Sequence, residues 1–220
     1  MPAFSTVIFD CDNTLSAIEG IEEISARHRA AIVQMTEAAM RGEIPLEEVY
    51  GRRLALVRPS QATLETLGAR YVDHLAPSAR ETVAALLDAG VQVRVLSGGL
   101  RPPVVAVARA LGISSELVTA VDIYFDERGE YAGFDDDSPL TRSAGKAEIV
   151  RAWGESLRRP AMLVGDGATD LAAAHEVDLF VAFAGFVERP VVVKAADVVI
   201  RERSLAPVLA LALENPPERA

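Results

Sequence analysis

Residues 6–24 read TVIFDCDNTLSAIEGIEEI, and this stretch decides the fold. Val7-Ile8-Phe9 is an apolar run that ends on Asp10, and a second carboxylate follows at Asp12. Aspartate is depleted in strands, and taking two of them out of water is costly. The place where a chain accepts that cost is the carboxyl end of a strand in an open parallel sheet, because such sheets bind their ligands there.

Outward from this first strand, residues 6–10, further apolar runs fall at 91–96, 161–164, 179–183 and 198–200, with helical patterns between them. That alternation predicts an α/β fold with a mainly parallel sheet. A helix is expected from Ala79 to Ala89, with Ser78 and Glu81 as a capping box and Gly90 as its stop. The rhythm breaks between Leu15 and Pro77. There Ile21, Ile24, Ile32, Met35 and Met40 recur at roughly helical spacing, which predicts a helical insertion after the first strand. VDIYFDERGEYAGFD, 121–135, reads as a small β-hairpin around Asp-Glu-Arg-Gly, and ENPPERA at the end reads as a frayed tail. The expected division is an α/β core of 1–14 and 78–220 with a helical unit of 15–77.

Half of the 220 residues are hydrophobic and 25% are charged, ordinary values for a globular protein. A net charge of −10 without a basic patch argues against nucleic acid or an anionic membrane as partner, but not against a small anionic substrate. Cys11 is the single cysteine, which excludes an internal disulfide framework and a thiolate zinc cluster within one chain. No apolar run approaches membrane-spanning length and no leader pattern opens the chain, so a cytoplasmic protein is expected. A monomer and a homodimer both fit the sequence.

The polar groups near strand ends carry the chemistry. They are Asp10 and Asp12, then Ser97, then Asp166, with Asp170 one helical turn further along. Converging acids repel one another unless a cation sits among them, and hard oxygen ligands point to Mg²⁺. Ser97-Gly98-Gly99 reads as a small turn whose amides can approach a phosphate. Pro102 and Pro103 suit the first turn of the next helix but offer no N–H. Lys146, one of only two lysines among 22 basic residues, supplies the compact point charge that phosphate often receives. Taken singly, each feature has a plainer account: an Asx turn at Asp10 and Asp12, a simple loop at the glycines, a solvated lysine. Cys11 reads as a packing residue, and His28, His74 and His175 are not spaced as a metal site. The ordered set of acids, serine, lysine and acids again is what points to a site.

That set resembles the haloacid dehalogenase-like phosphatases. DCDNT resembles their DxDxT signature, LSGG their second motif, Lys146 their third and GDGATD their fourth. DNTLSAIEGIEEI, AMRGEIP, RLALVRPS, SGGLRPPVVAVARALGI and GEYAGFD narrow the resemblance to the phosphoserine phosphatases, over nearly the whole chain. The resemblance implies a Rossmann-like core under a helical cap and a small phosphate ester as substrate. It implies Asp10 as the nucleophile that forms an aspartyl-phosphate, and Asp12 as the acid that protonates the leaving oxygen and later activates water. Ser97, Gly98, Gly99 and Lys146 would hold the phosphoryl group. Mg²⁺ would be held by the Asp10 and Asp166 carboxylates and the Asp12 carbonyl, with Asp170 in support. Glu19 would meet a serine ammonium and Arg53 a serine carboxylate, while Met40, Thr169 and Arg189 match ligand-side positions. Asn13 stands where the family often has Ser, Val121 where it often has Asn, and Leu46 where Phe is frequent. The same chemistry on another small phosphate ester, transfer to an alcohol, and a non-catalytic metabolite-binding module are the competing readings.

Overall fold

The first strand is fully buried because all four of its side chains are, and that places it at the centre of the sheet. The computed structural model describes residues 2–214, without the Arg27 side chain, so the predicted frayed tail lies almost wholly outside the described residues. The chain runs β1 (Thr6–Phe9), α1 (Gly20–Glu23), α2 (Arg29–Met40), α3 (Leu46–Val57), α4 (Gln61–Asp73), α5 (Ala79–Asp88) and β2 (Gln92–Leu100). It continues through α6 (Arg101–Ala110), β3 (Val118–Val121), β4 (Ile123–Phe125), β5 (Tyr131–Phe134), α7 (Gly145–Trp153) and β6 (Ala161–Gly165). The last elements are α8 (Ala168–Ala172), β7 (Leu179–Phe183), α9 (Pro190–Ala195), β8 (Val198–Ile200) and α10 (Ala206–Leu213).

Six strands form one sheet in the order β3-β2-β1-β6-β7-β8, and every pairing in it is parallel. β1, β6 and β7 are buried along their whole length, as expected of strands covered by helices on both faces. From β1 the chain builds outward through β2 and β3, then returns on the other side through β6, β7 and β8. The strand order therefore reverses at β1, and the crevice above its carboxyl end is where such a sheet takes a ligand.

Between β1 and α5 the chain is helical, as the apolar spacing predicts. Its way out and its way back lie side by side: Ser16 and Leu75 form an isolated antiparallel bridge, with Ala17 N–H donating to the His74 carbonyl at 2.8 Å and Ala76 N–H to the Leu15 carbonyl at 2.9 Å. α4 packs along α6 at Gly68, where a Cβ would sit 3.0 Å from that of Ala106. β4 and β5 form the predicted hairpin. Its turn is closed by Asp126, whose Oδ1 accepts from Arg128 N–H at 2.8 Å and Glu130 N–H at 2.9 Å. Among the described residues, no helix is long and apolar enough to cross a membrane.

Three local expectations need correction. Ser78 does not cap α5: it lies in the left-handed region at φ 62°, and its side chain makes no capping bond. Ser97-Gly98-Gly99 is not a turn but part of β2, which stays extended to Leu100, with irregular pairing to β3 between Leu96 and Leu100. The sequence reading also has no counterpart to β3, a four-residue edge strand directly before the hairpin. Its Val121 is fully buried in the core.

Candidate active site

The turn after β1 separates the two acids. Ser16 N–H closes it onto the Cys11 carbonyl at 2.9 Å, with Asp12 extended (ψ 135°) and Asn13 left-handed (φ 50°). Asparagine tolerates that conformation, which gives a physical reason for its presence at position 13. The Asn13 side-chain amide also donates to Glu19 Oε2 at 3.0 Å, so it steadies a residue named from the sequence. Cys11 is fully buried in the core, and burial pushes its thiol pKa well up.

Asp10 Oδ1 accepts from Cys11 N–H at 2.7 Å and faces Lys146 Nζ at 2.9 Å. Lys146, only 3% exposed at the start of α7, also reaches Asp170 Oδ1 at 2.7 Å. Asp170 Oδ2 accepts from Gly167 N–H at 3.1 Å. A Cβ on Gly165 would lie 2.2 Å from the Asp170 carboxyl carbon, so β6 must end on glycine for this acid to come in. Asp166 is held from behind by Arg189, which is 2% exposed and also donates to Glu37 Oε1 at 3.0 Å.

Burial raises the Asp10 pKa well above the usual carboxylate value. Lys146 opposes this, while Asp170, Asp166 and Asp12 add to it. Asp166 is pushed up to about 6 by burial, against the pull of Arg189. Burial would lower the Lys146 pKa, but Asp10 and Asp170 outweigh it and hold the ammonium charged. Asp10, Asp166 and Asp170 each offer one oxygen within 4.8 Å of the others. These three acids share Lys146 and Arg189, and Arg189 also serves Glu37, so carboxylates outnumber the cations around them. An all-oxygen set with that excess of negative charge fits a hard divalent cation, which would also offset its repulsion of a phosphate dianion.

A cavity of about 70 Å³ lies over these acids and under the helical insertion. Asp10, Asp12, Gly98, Gly99, Lys146, Asp166 and Thr169 line it from the sheet side, and Glu19, Met40, Leu46, Arg53 and Tyr71 from the insertion. Ser97, Asp170 and Arg189 do not line it. Ser97 lies just beneath, with its Oγ accepting from Gly99 N–H at 3.0 Å and 3.4 Å from Asp12 Oδ2. Arg189, expected on the ligand side, is outside the lining, with its guanidinium donating to Asp166 and Glu37. Val121 is likewise outside the lining, whereas Leu46 is part of it.

Arg53 is buried on α3, 6% exposed, and stacks over the Tyr50 ring at 5.4 Å. Its Nη1 donates to Thr36 Oγ1 at 2.9 Å, but its Nε has no partner. Among the described residues no carboxylate lies within ion-pair distance of it. Glu19 is pushed well up in pKa by burial and by Asp12, against Arg53. Two further contacts have no signal in the sequence. Tyr71 donates from α4 to Asp12 Oδ1, and Tyr50 donates its hydroxyl to the Gly98 carbonyl at 2.8 Å. Both read as core positions on amphipathic helices.

The haloacid dehalogenase-like hydrolase family model matches residues 4–178, which covers β1 through the end of the β6–α8 region where these acids lie. The chain is a haloacid dehalogenase-like hydrolase. Phosphoserine phosphatase of Mus musculus is 39% identical to this hydrolase over 186 residues, 83% of each chain. Among solved structures, a phospho-aspartyl intermediate analogue of phosphoserine phosphatase matches with a TM-score of 0.80 at 26% identity, covering 94% of this chain and 98% of its own. A substrate-bound phosphoserine phosphatase complex matches with a TM-score of 0.82 at 25% identity and the same coverage. The fold of this haloacid dehalogenase-like hydrolase thus aligns with those two solved structures over 94% of its length.

Proposed function

We propose that this hydrolase cleaves O-phospho-L-serine to L-serine and phosphate through a phosphorylated Asp10, with 15–77 acting as a cap over a core of 1–14 and 78–220. One observation carries the substrate reading: among the described residues Arg53 is a buried cation without a carboxylate partner, in the same cavity as Asp10 and Lys146. A buried unpaired guanidinium calls for an anionic group, and a carboxylate suits its planar fork. Glu19 offers the opposite charge for an ammonium. Phosphate at one end, carboxylate at the other and an ammonium between them describe a phosphorylated amino acid.

In this reading Asp10 attacks phosphorus, and Lys146, the Ser97 hydroxyl and the Gly98 and Gly99 backbone bind the phosphoryl oxygens. Asp12 gives a proton to the departing serine oxygen and afterwards takes one from the attacking water, assistance typically worth roughly 10²–10⁴-fold. Met40 and Thr169 pack against the substrate. Asp10, Asp166 and the Asp12 carbonyl would hold Mg²⁺, Asp170 would support the shell, and Arg189 would fix Asp166 from behind. When bound, that ion would offset charge on the phosphoryl oxygens.

Phosphate release from L-phosphoserine, beside phosphothreonine, phosphoethanolamine and glycerol phosphate, tests the reading. The expected result is the highest kcat/KM for L-phosphoserine, abolished by a chelator and restored by Mg²⁺. A different preferred ester would overturn the substrate and keep the chemistry. Faster transfer to an added alcohol than to water would make the protein a transferase, and no release from any ester would remove the reading altogether.

A further inference from the structure

Tyr71 is the largest fully buried side chain among the described residues, 1% exposed, yet it is among the residues that line the cavity. Its hydroxyl donates to Asp12 Oδ1. Gly20 N–H donates to the same oxygen at 2.7 Å. Among the described residues, the other carboxylate oxygen, Oδ2, has only the long 3.4 Å contact with Ser97 Oγ. It lies above Gly99, where a Cβ would come within 2.8 Å of it. One oxygen of Asp12 is therefore occupied by two donors, and the other is open towards the cavity.

We propose that Tyr71 is a positioning residue: with Gly20 it holds Oδ1 as a fixed acceptor, so that Oδ2 is the atom through which Asp12 passes its proton. A proton on Oδ1 would weaken the bond from Gly20 N–H and force the Tyr71 hydroxyl from donor to acceptor, so the acid form carries it on Oδ2. The holding group is rigid. α4 is pressed onto α6 at Gly68, and Ser16 Oγ donates to the Tyr71 carbonyl at 3.2 Å. Gly20 must be bare, because a Cβ there would sit 1.9 Å from the Tyr71 hydroxyl. Such fixing matters because proton transfer depends on sub-ångström alignment. In the first half-reaction the Asp10–phosphorus bond forms, the phosphorus–ester bond breaks, and the Oδ2 proton moves to the departing oxygen. In the second, water oxygen bonds to phosphorus, the Asp10–phosphorus bond breaks, and Oδ2 takes a proton from that water.

This inference rests on the phosphatase reading, and Tyr71→Phe separates the two. A departing alkoxide needs the proton, whereas acetyl phosphate leaves as a carboxylate and does not. For Tyr71→Phe, kcat/KM with L-phosphoserine is expected to fall about 10- to 30-fold, a part of the acid–base contribution. With acetyl phosphate, or with p-nitrophenyl phosphate if the parent rejects it, the change should stay within about twofold. If the parent prefers another alkyl ester, that ester takes the place of phosphoserine, so failure of the substrate reading leaves this test standing. Equal losses with both substrates, or no loss with the alkyl ester, would overturn the proposal. Should Tyr71→Phe not fold, Gly20→Ala crowds the same hydroxyl off its place, and the same split between esters is expected.

Discussion

Asp10→Asn is expected to lower turnover by at least about 10⁴-fold while leaving the fold in place, a loss of the size seen when a covalent nucleophile is removed. The carboxylate is buried, and its Oδ1 is already oriented by Cys11 N–H and Lys146 Nζ. An amide of the same shape keeps an acceptor oxygen for these donors but has no charge with which to attack phosphorus. Stability should change little. Burial is the largest influence on Asp10 and disfavours its charge, and Lys146 keeps Asp170 as a partner. Steady-state phosphate release and thermal melting check this together. An Asp10→Asn protein that keeps more than about one hundredth of the parental kcat would remove Asp10 from the nucleophile's role.

Arg53→Ala should act on recognition instead. Breaking a buried, charge-assisted pair with substrate typically costs about 2–5 kcal/mol, so kcat/KM for L-phosphoserine is expected to fall roughly 30- to 5,000-fold, mostly through KM. Phosphoethanolamine lacks the carboxylate, and its kcat/KM should change by no more than about threefold, an effect of lost packing alone. Arg53→Lys keeps the charge but not the fork, and should recover only part of the loss. Because Arg53 also packs on Tyr50 and donates to Thr36, some loss of melting temperature accompanies the Ala variant. Equal losses with both esters would show that Arg53 shapes the cavity without touching a carboxylate.

Much of the core was legible because its central strands are buried on both faces. A run such as Val7-Ile8-Phe9 has few other interpretations once helical patterns follow it. Asp10, Asp12 and Asp166 stand out for the converse reason, as charges at the ends of buried strands, whereas Asp170 follows from its spacing to Asp166 and Lys146 from the scarcity of lysine. Elements decided by their surroundings were harder to read. Gly98 and Gly99 resemble a turn, but Gly99 is a glycine because Asp12 Oδ2 needs the space, not because the chain reverses. β3 is four residues long and carries Thr119, so it has little pattern of its own. Ser78 failed as a cap because its backbone turned left-handed, which no spacing rule reveals. Glu37, Tyr50 and Tyr71 lie on helices of the insertion and touch core groups far away in sequence. Their partners follow only from the packing of that insertion on the sheet.

The most direct test of the covalent mechanism is to trap the intermediate. The enzyme is mixed with L-phosphoserine and Mg²⁺, quenched in acid during turnover and reduced with borohydride, which converts a phosphorylated aspartate to homoserine. Peptide mass spectrometry then locates the change. Homoserine at position 10, absent without substrate and absent in Asp10→Asn, is the predicted result. Full turnover with no homoserine, or with homoserine at Asp12, Asp166 or Asp170, would contradict it.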